Sequence, residues 1–150
     1  MTDNLPDIAV RMLYRQLLDR WDRQDALGFA ALFTGEGSIV GFDGSAIDGR
    51  SEIEVHLHPI FANHPTPTYV AKIREVRLLS ADVVLLRAIA GMVPRGASDI
   101  DPSLNAVQSL VARHQHNGWR IELFHNTPAA FHGRPELAAK MTAELRALLA

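Results

Sequence analysis

The 150-residue sequence predicts one α+β domain, spanning 1–150, in which a mostly antiparallel sheet folds over N-terminal helices and leaves a hollow between them. Three observations carry this. A strongly amphipathic stretch opens the chain, a short helix then turns abruptly into a hairpin over 21–49, and three long strand-like runs follow in succession. The hydrophobic content of 47% is enough for a real core, and no Ser/Gly-rich or charge-run linker divides the chain.

The first helix is expected from Pro6 to Arg23, with Asn4 near its cap and Pro6 in the first turn, where the missing N–H costs nothing. Val10, Leu13, Tyr14, Leu17, Leu18 and Trp21 form one stripe, while Arg11, Arg15, Asp19, Asp22 and Arg23 fill the other side. Tyr14 and Trp21 each bring a polar atom to the apolar side, as core aromatics with a hydrogen-bond partner or as ligand contacts. Asp25 can cap a second helix carrying Ala26, Phe29, Leu32 and Phe33 inward, stopped by Thr34 to Gly37. Ser38 to Phe42 then alternates like a strand, Asp43-Gly44 suits a type I′ turn, and Ser45 to Asp48 returns alongside.

Ser51-Glu52-Ile53-Glu54 reads as a capping box opening a third helix with Ile53, Leu57, Ile60 and Phe61 inward, and Pro59 should kink or end it. His58, one turn before Phe61 and just ahead of that break, is placed at the mouth of the hollow. His56, two residues away, points to the opposite side. Strands are expected at Tyr69 to Leu79, Val83 to Val93, Asn105 to His116 and from Trp119 onward. Asn117-Gly118, taken as the two turn residues, sets His116 opposite Trp119, Arg113 opposite Glu122 and Leu110 opposite His125.

That register assigns two faces. One carries Trp119, Ile121, Ala112, Leu123 and Leu110, with Gln108 and His125 at its far end, which makes that end the candidate site. The other carries an Arg113–Glu122 pair with Val107, Val111 and Phe124, too apolar for water alone, and is predicted to pack against a second copy as a homodimer. A last helix starts at Pro135 with Leu137, Met141, Leu145 and Leu148 on one side, to cover the sheet's edge or to reach across a dimer.

Composition and spacing exclude several functions. A formal charge of −2 with interspersed signs gives no pull toward nucleic acid or anionic membrane, and the absence of cysteine removes disulfides and thiolate chemistry. The most apolar run, Val83 to Val93, is far short of a bilayer span, and the opening residues lack the pattern of a secretion signal, so a cytoplasmic protein is expected. No metal is expected. His125 lies on the order of 13 Å along the strands from His114, at about 3.3 Å per residue, too far to share an ion. The glycines from Gly35 to Gly41 follow a helix and lead into a strand, the reverse of a dinucleotide fingerprint, and no cofactor is expected. Asp43 and Asp48 flank the first hairpin with turn duties, and Asp99 and Asp101 belong to a polar loop that is either solvated or a lid.

The Ala31-Leu32-Phe33 to Gly37 corner, the Gly49-Arg50 bend and the Gly118-Trp119-Arg120-Ile121 strand together resemble the nuclear-transport-factor-2-like superfamily. The runs Phe124-His125-Asn126-Thr127-Pro128 and Phe131-His132-Gly133-Arg134-Pro135 resemble its SgcJ/EcaC branch, related to SnoaL-type polyketide cyclases. The resemblance implies a cone-shaped fold, a cavity between curved sheet and helices, and a homodimer through the outer face. It also places Gly41 where the related steroid isomerases carry their acidic base, finds no second acid among Val107 to Ala112, and sets Tyr14 where those enzymes place an oxyanion-hole tyrosine.

The expectation from sequence is therefore a pocket for a small hydrophobic or amphipathic metabolite, of polyketide or steroid type. Trp21, Phe42, His58, Gln108 and Asn126 bind it. In a cofactor-free proton transfer, His125 acts as general acid or base and Tyr14 donates to the developing oxyanion. The contrasting expectation, from the missing acid pair, is a non-catalytic carrier or dimerising module of a biosynthetic complex.

Overall fold

Helix α1 (Leu5–Asp22) forms where its stripe requires, and Val10, Leu13, Tyr14, Leu17 and Leu18 are all buried. The structure is a computed structural model describing residues 5–149, so the expected cap at Asn4 lies outside the described residues. Helix α2 is a single turn, Ala26–Ala30, capped as expected by Asp25, whose carboxylate accepts the Gly28 N–H at 2.8 Å. Strand β1 begins earlier than the sequence predicts, at Phe33 rather than Ser38, and runs to Val40. Phe33 and Ile39 are both drawn into the core, and the segment between them bulges, since Phe33 pairs with Ile121 and Ser38 already with Leu123.

β1 turns back into β2 (Ala46–Asp48) through Phe42, Asp43 and Gly44. The turn is not type I′, because Gly44 alone of its residues has a positive φ, +91°. Its N–H returns to the Gly41 carbonyl at 2.9 Å, placing glycine after the bend instead of within it. Helix α3 (Arg50–Asn63) is capped by Gly49 rather than Ser51 and runs through Pro59 without ending there. Pro59 has no N–H to return to the Val55 carbonyl one turn earlier, and Val55 lies on the exposed side of the helix, where losing that bond is tolerated.

The long strands β3 (Thr68–Ser80), β4 (Val83–Val93), β5 (Ala106–Gln115) and β6 (Gly118–Pro128) match the predicted runs to within two residues. The six strands are ordered β2-β1-β6-β5-β4-β3, antiparallel throughout except for the parallel pair β1–β6. Ladder irregularities occur in β3, between Ile73 and Glu75 and between Leu78 and Ser80, and between β5 and β6; each bends its strand.

The β5–β6 pairing corrects the predicted register. The turn residues are His116 and Asn117, with Gly118 following at φ +105°, so His114 rather than His116 faces Trp119. A bulge at Glu122 then moves the pairing one residue back toward the predicted register: Ala112 meets Ile121, but Val111 meets Leu123 and Leu110 meets Phe124. Because side chains alternate with period two, one extra residue exchanges the faces of everything beyond it. Phe124 and Asn126 turn inward, and His125 turns out.

The core fills the space between α1, α2, α3 and the inner sheet face, where Phe33, Leu86, Leu110 and Ile121 are fully buried. Helix α4 (Pro135–Arg146) packs on the opposite face, Met141 and Leu145 joining Ile89 and Ile100 over Val70 and Val107. Leu148 is exposed and Leu149 takes its expected place, because the last turn tightens to a 3₁₀ form at Ala147–Leu149.

Surface ion pairs also hold α4. Glu144 accepts two bonds from Arg74, at 2.8 and 2.9 Å, and lies 3.6 Å from Lys72, while Arg146 meets Asp99 at 2.9 Å. The Arg74 guanidinium and the Lys72 ammonium hold the Glu144 carboxyl at about 2, down from 4.5, and Arg146 holds Asp99 below its usual range. A depressed folded pKa contributes stability that is whole above the unfolded value and lost as pH falls through the folded one. Protection of α4 amides from hydrogen exchange is therefore expected to fall between pH 4.5 and 2, and Glu144→Gln should flatten that dependence.

Candidate functional site

Between α1, α3 and the inner sheet face lies a cavity of about 370 Å³, within the size range of small-molecule sites. Its wall is overwhelmingly apolar, with Leu17, Phe29, Ile39, Ile53, Leu57 and Phe124 among the lining residues. Trp21 forms one side at the centre of an aromatic group, 5.1 Å from Phe61, 5.8 Å from Tyr69 and 6.3 Å from Phe29 between ring centroids. Its indole N–H donates to the Pro67 carbonyl at 2.9 Å, so it is both a satisfied core aromatic and a cavity residue.

Further bonds clip the segment containing Pro67 to the helices. Gln24 donates to the His64 carbonyl at 2.6 Å and to Thr66 Oγ1 at 3.2 Å, Arg95 donates to the Thr66 carbonyl at 2.7 Å, and the Tyr69 N–H donates to Asp22 at 2.9 Å. Gln24 adopts a left-handed backbone conformation, φ 55°, as the residue that ends α1: its N–H returns to the Trp21 carbonyl and the Asp25 N–H to the Arg20 carbonyl, both at 2.9 Å.

A chain of side-chain hydrogen bonds runs to the cavity from the fully buried interior. The Tyr14 hydroxyl donates to Gln108 Oε1 at 2.6 Å, and Gln108 Nε2 donates to Asn126 Oδ1 at 3.1 Å. Tyr14 and Gln108 are 0% exposed, and Asn126 lines the cavity. Burial pushes the Tyr14 phenol far up from its ordinary value, so it stays protonated and stays a donor. Tyr69 is likewise pushed up by burial, with Gln108 hydrogen bonding pulling the other way. Asp43 and His56 line the cavity yet are exposed, which marks where it opens to solvent. Hydrogen bonds from the Ser45 N–H at 2.9 Å and Ser45 Oγ at 3.0 Å hold the Asp43 carboxyl below its usual range.

The residues singled out from sequence divide accordingly. Trp21, Phe42 and Asn126 lie on the cavity wall; Gln108 and Tyr14 lie behind it. Tyr14 spends its one O–H on Gln108 and presents none to the cavity. His125 is exposed on the outer face, opposite Ser109, and the Glu122 bulge is the reason. His58 is exposed and away from the cavity; His56 takes the mouth, because three residues after Ile53 and four before Ile60 it shares their face. That spacing is the signal that would have found it. Tyr69 was hidden at the start of a long strand whose alternation does not distinguish a cavity position from a core one, and Asp43 by its turn duty.

The outer-face residues divide too. Phe124 is in the core, 5% exposed, and Val107 packs into the α4 cluster, so neither faces outward to a partner. Arg113 and Glu122 do form an ion pair, at 3.2 Å, with Glu122 supplied by the bulge rather than by direct cross-strand pairing. No helix among the described residues is long and apolar enough to cross a membrane.

The family model described as a SnoaL-like domain matches residues 10–130. No curated protein matches the chain. Among solved structures, a domain of unknown function with a cystatin-like fold from Nostoc punctiforme is 24% identical, with a TM-score of 0.78, covering 89% of this chain and 83% of that one. A ketosteroid isomerase-like protein from Erwinia carotovora atroseptica is 18% identical, with a TM-score of 0.67, covering 87% and 99%. An NTF-2-like protein of unknown function from Shewanella oneidensis is 16% identical, with a TM-score of 0.64, covering 82% and 99%. At these identities the likeness is one of fold.

Proposed function

The chain belongs to the SnoaL-like domain family of the NTF2-like superfamily, and from that premise we propose that it binds a small, largely apolar metabolite in the cavity between α1, α3 and the sheet. The observation that carries this reading is the cavity itself, about 370 Å³ of apolar-walled space bordered by core side chains of α1, α2, α3 and the sheet. Binding comes before chemistry in this reading: the exposed titratable groups on the wall, Asp43 and His56, stand at the mouth, and His125 is on the other side of the sheet. A carrier role and a proton transfer routed through the mouth pair share the same first step.

A neutral fluorophore of suitable size, 1-aminoanthracene, is expected to bind at one saturable site with enhanced emission. Ala106, 1% exposed and on the cavity wall, offers a way to fill the space from the protein side. Ala106→Phe should abolish the emission change while leaving the circular dichroism spectrum intact, at a stability cost of about 1–3 kcal/mol for overpacking. Equal binding by both proteins would remove the cavity from the proposal.

Leu85, Val111 and Leu123 form a cross-strand row on the outer face, each only half-buried. This row, beside the Arg113–Glu122 pair, supports a homodimer through the part of the face not occupied by the α4 cluster. Val111→Glu is expected to yield monomer in sedimentation equilibrium where the parent protein sediments as a dimer.

A further inference from the structure

The outer face of the sheet carries a second hollow, on the side of β4 away from the cavity and beside α4. It measures about 370 Å³. Ile89, 3% exposed, and half-buried Val107 form its floor, Met141 of α4 forms one wall, and Arg74, Glu75 and Arg87 stand around its rim. The register explains this composition. Leu85, Arg87 and Ile89 are successive outward positions of β4, paired with Val111, Ser109 and Val107 of β5. Arg87 thus stands between two apolar rows, one packed under α4 and the other, Leu85, Val111 and Leu123, half-buried.

The cations of the rim are not equally engaged. Arg74 gives two hydrogen bonds to Glu144, which also has Lys72 at 3.6 Å. Arg87 is held more loosely: among the described residues its ion-pair contact is Glu75 at 3.6 Å, beyond hydrogen-bond length, and its side chain is 55% exposed. By formal charge Lys72, Arg74 and Arg87 face only Glu75 and Glu144, which leaves one positive charge unmatched. The planar fork of Arg87 can therefore take both oxygens of a carboxylate, with the Ser109 hydroxyl beside it on the same face as a further donor.

We infer that this hollow is a second binding site, for a monoanion with a compact apolar body, an aryl or cycloalkyl carboxylate. Its carboxylate meets Arg87 while its ring lies on Ile89, Val107 and Met141. The single unmatched charge calls for a single negative charge on the ligand. A small hydrated ion such as inorganic phosphate has no apolar surface to bury against the floor, and a neutral molecule leaves Arg87 unused. The inner cavity, whose described lining holds no lysine or arginine, makes no such demand.

Methionine separates the two sites. Met141 lines the outer hollow and Met92 the inner cavity, so nuclear magnetic resonance of isotope-labelled methionine methyl groups reads both at once. Met141→Leu and Met92→Leu assign the two signals. Naphthalene-2-carboxylate at neutral pH should move the Met141 signal saturably, and equally so in Ala106→Phe, where the inner cavity is filled. Naphthalene-2-carboxamide, of the same shape without the charge, should bind at Met141 about tenfold more weakly, the worth of one charge-assisted bond. Arg87→Gln should cost the acid the same factor while leaving the circular dichroism spectrum unchanged. No shift at Met141, a shift at Met92 alone, or equal affinity in the parent and Arg87→Gln proteins overturns the inference and leaves the inner-cavity reading standing. Loss of the dimer in sedimentation equilibrium as the acid saturates Met141 also overturns it, because the hollow would then be the seat of a second copy.

Discussion

Phe124→Ala is expected to destabilise the fold by about 4 kcal/mol, whereas His125→Ala, one residue along, should change stability by less than about 0.5 kcal/mol. Phe124 is 5% exposed, pairs with fully buried Leu110, and contributes to both the core and the cavity wall; truncating it removes a ring from a space its neighbours cannot close. His125 stands outside the sheet in the open. Against a domain stability of about 5–15 kcal/mol, the first change endangers folding and the second is silent. Urea unfolding of the two variants decides the face of β6: the opposite order of effects would restore the unbulged register, with the imidazole inward.

Gln108→Leu is expected to cost about 3 kcal/mol, since it leaves the fully buried Tyr14 hydroxyl without a partner and takes from the Asn126 carbonyl oxygen, on the cavity wall, its bond from within the core. Tyr14→Phe alone should cost about 1–2 kcal/mol, because it strands only Gln108 Oε1. The double variant should cost clearly less than the sum, as replacing both members of a buried pair by apolar groups removes the stranded atoms along with the bond. Strict additivity in urea unfolding would show that the two side chains do not act as a pair.

The fold was largely legible in the sequence because its strongest signals are local. The stripe from Val10 to Trp21, the run Val83–Val93, and Met141 with Leu145 each declare an element within a few turns of chain. The site was legible only in part. Trp21, Gln108 and Asn126 were within reach, but the face of every residue past Ile121 depends on one bulge, and nothing in the local pattern announces it. Glu122 carries no bulge signature of its own; it is held by Arg113 on β5 and by Thr34 on β1, one of which is almost ninety residues away in sequence. The two hairpins misled for a related reason. Asp43-Gly44 and Asn117-Gly118 both look like the centre of a tight turn, yet in each the glycine sits one step later, so a reading that centres the dipeptide misplaces the returning strand. A pocket formed by α1, α3, β1 and β6 inherits such long-range shifts even when each element is correctly foreseen.

The interruptions in β3 have an effect beyond shape. That strand has a neighbour on one side only, and its outer row of amides and carbonyls would otherwise offer a straight template for a strand from another molecule. Breaks after Ile73 and Leu78 take the row out of line, and Lys72, Arg74 and Arg77 place positive charge along it. An incoming strand therefore finds no straight row to extend along β3, an arrangement that disfavours edge-to-edge growth at this margin of the sheet.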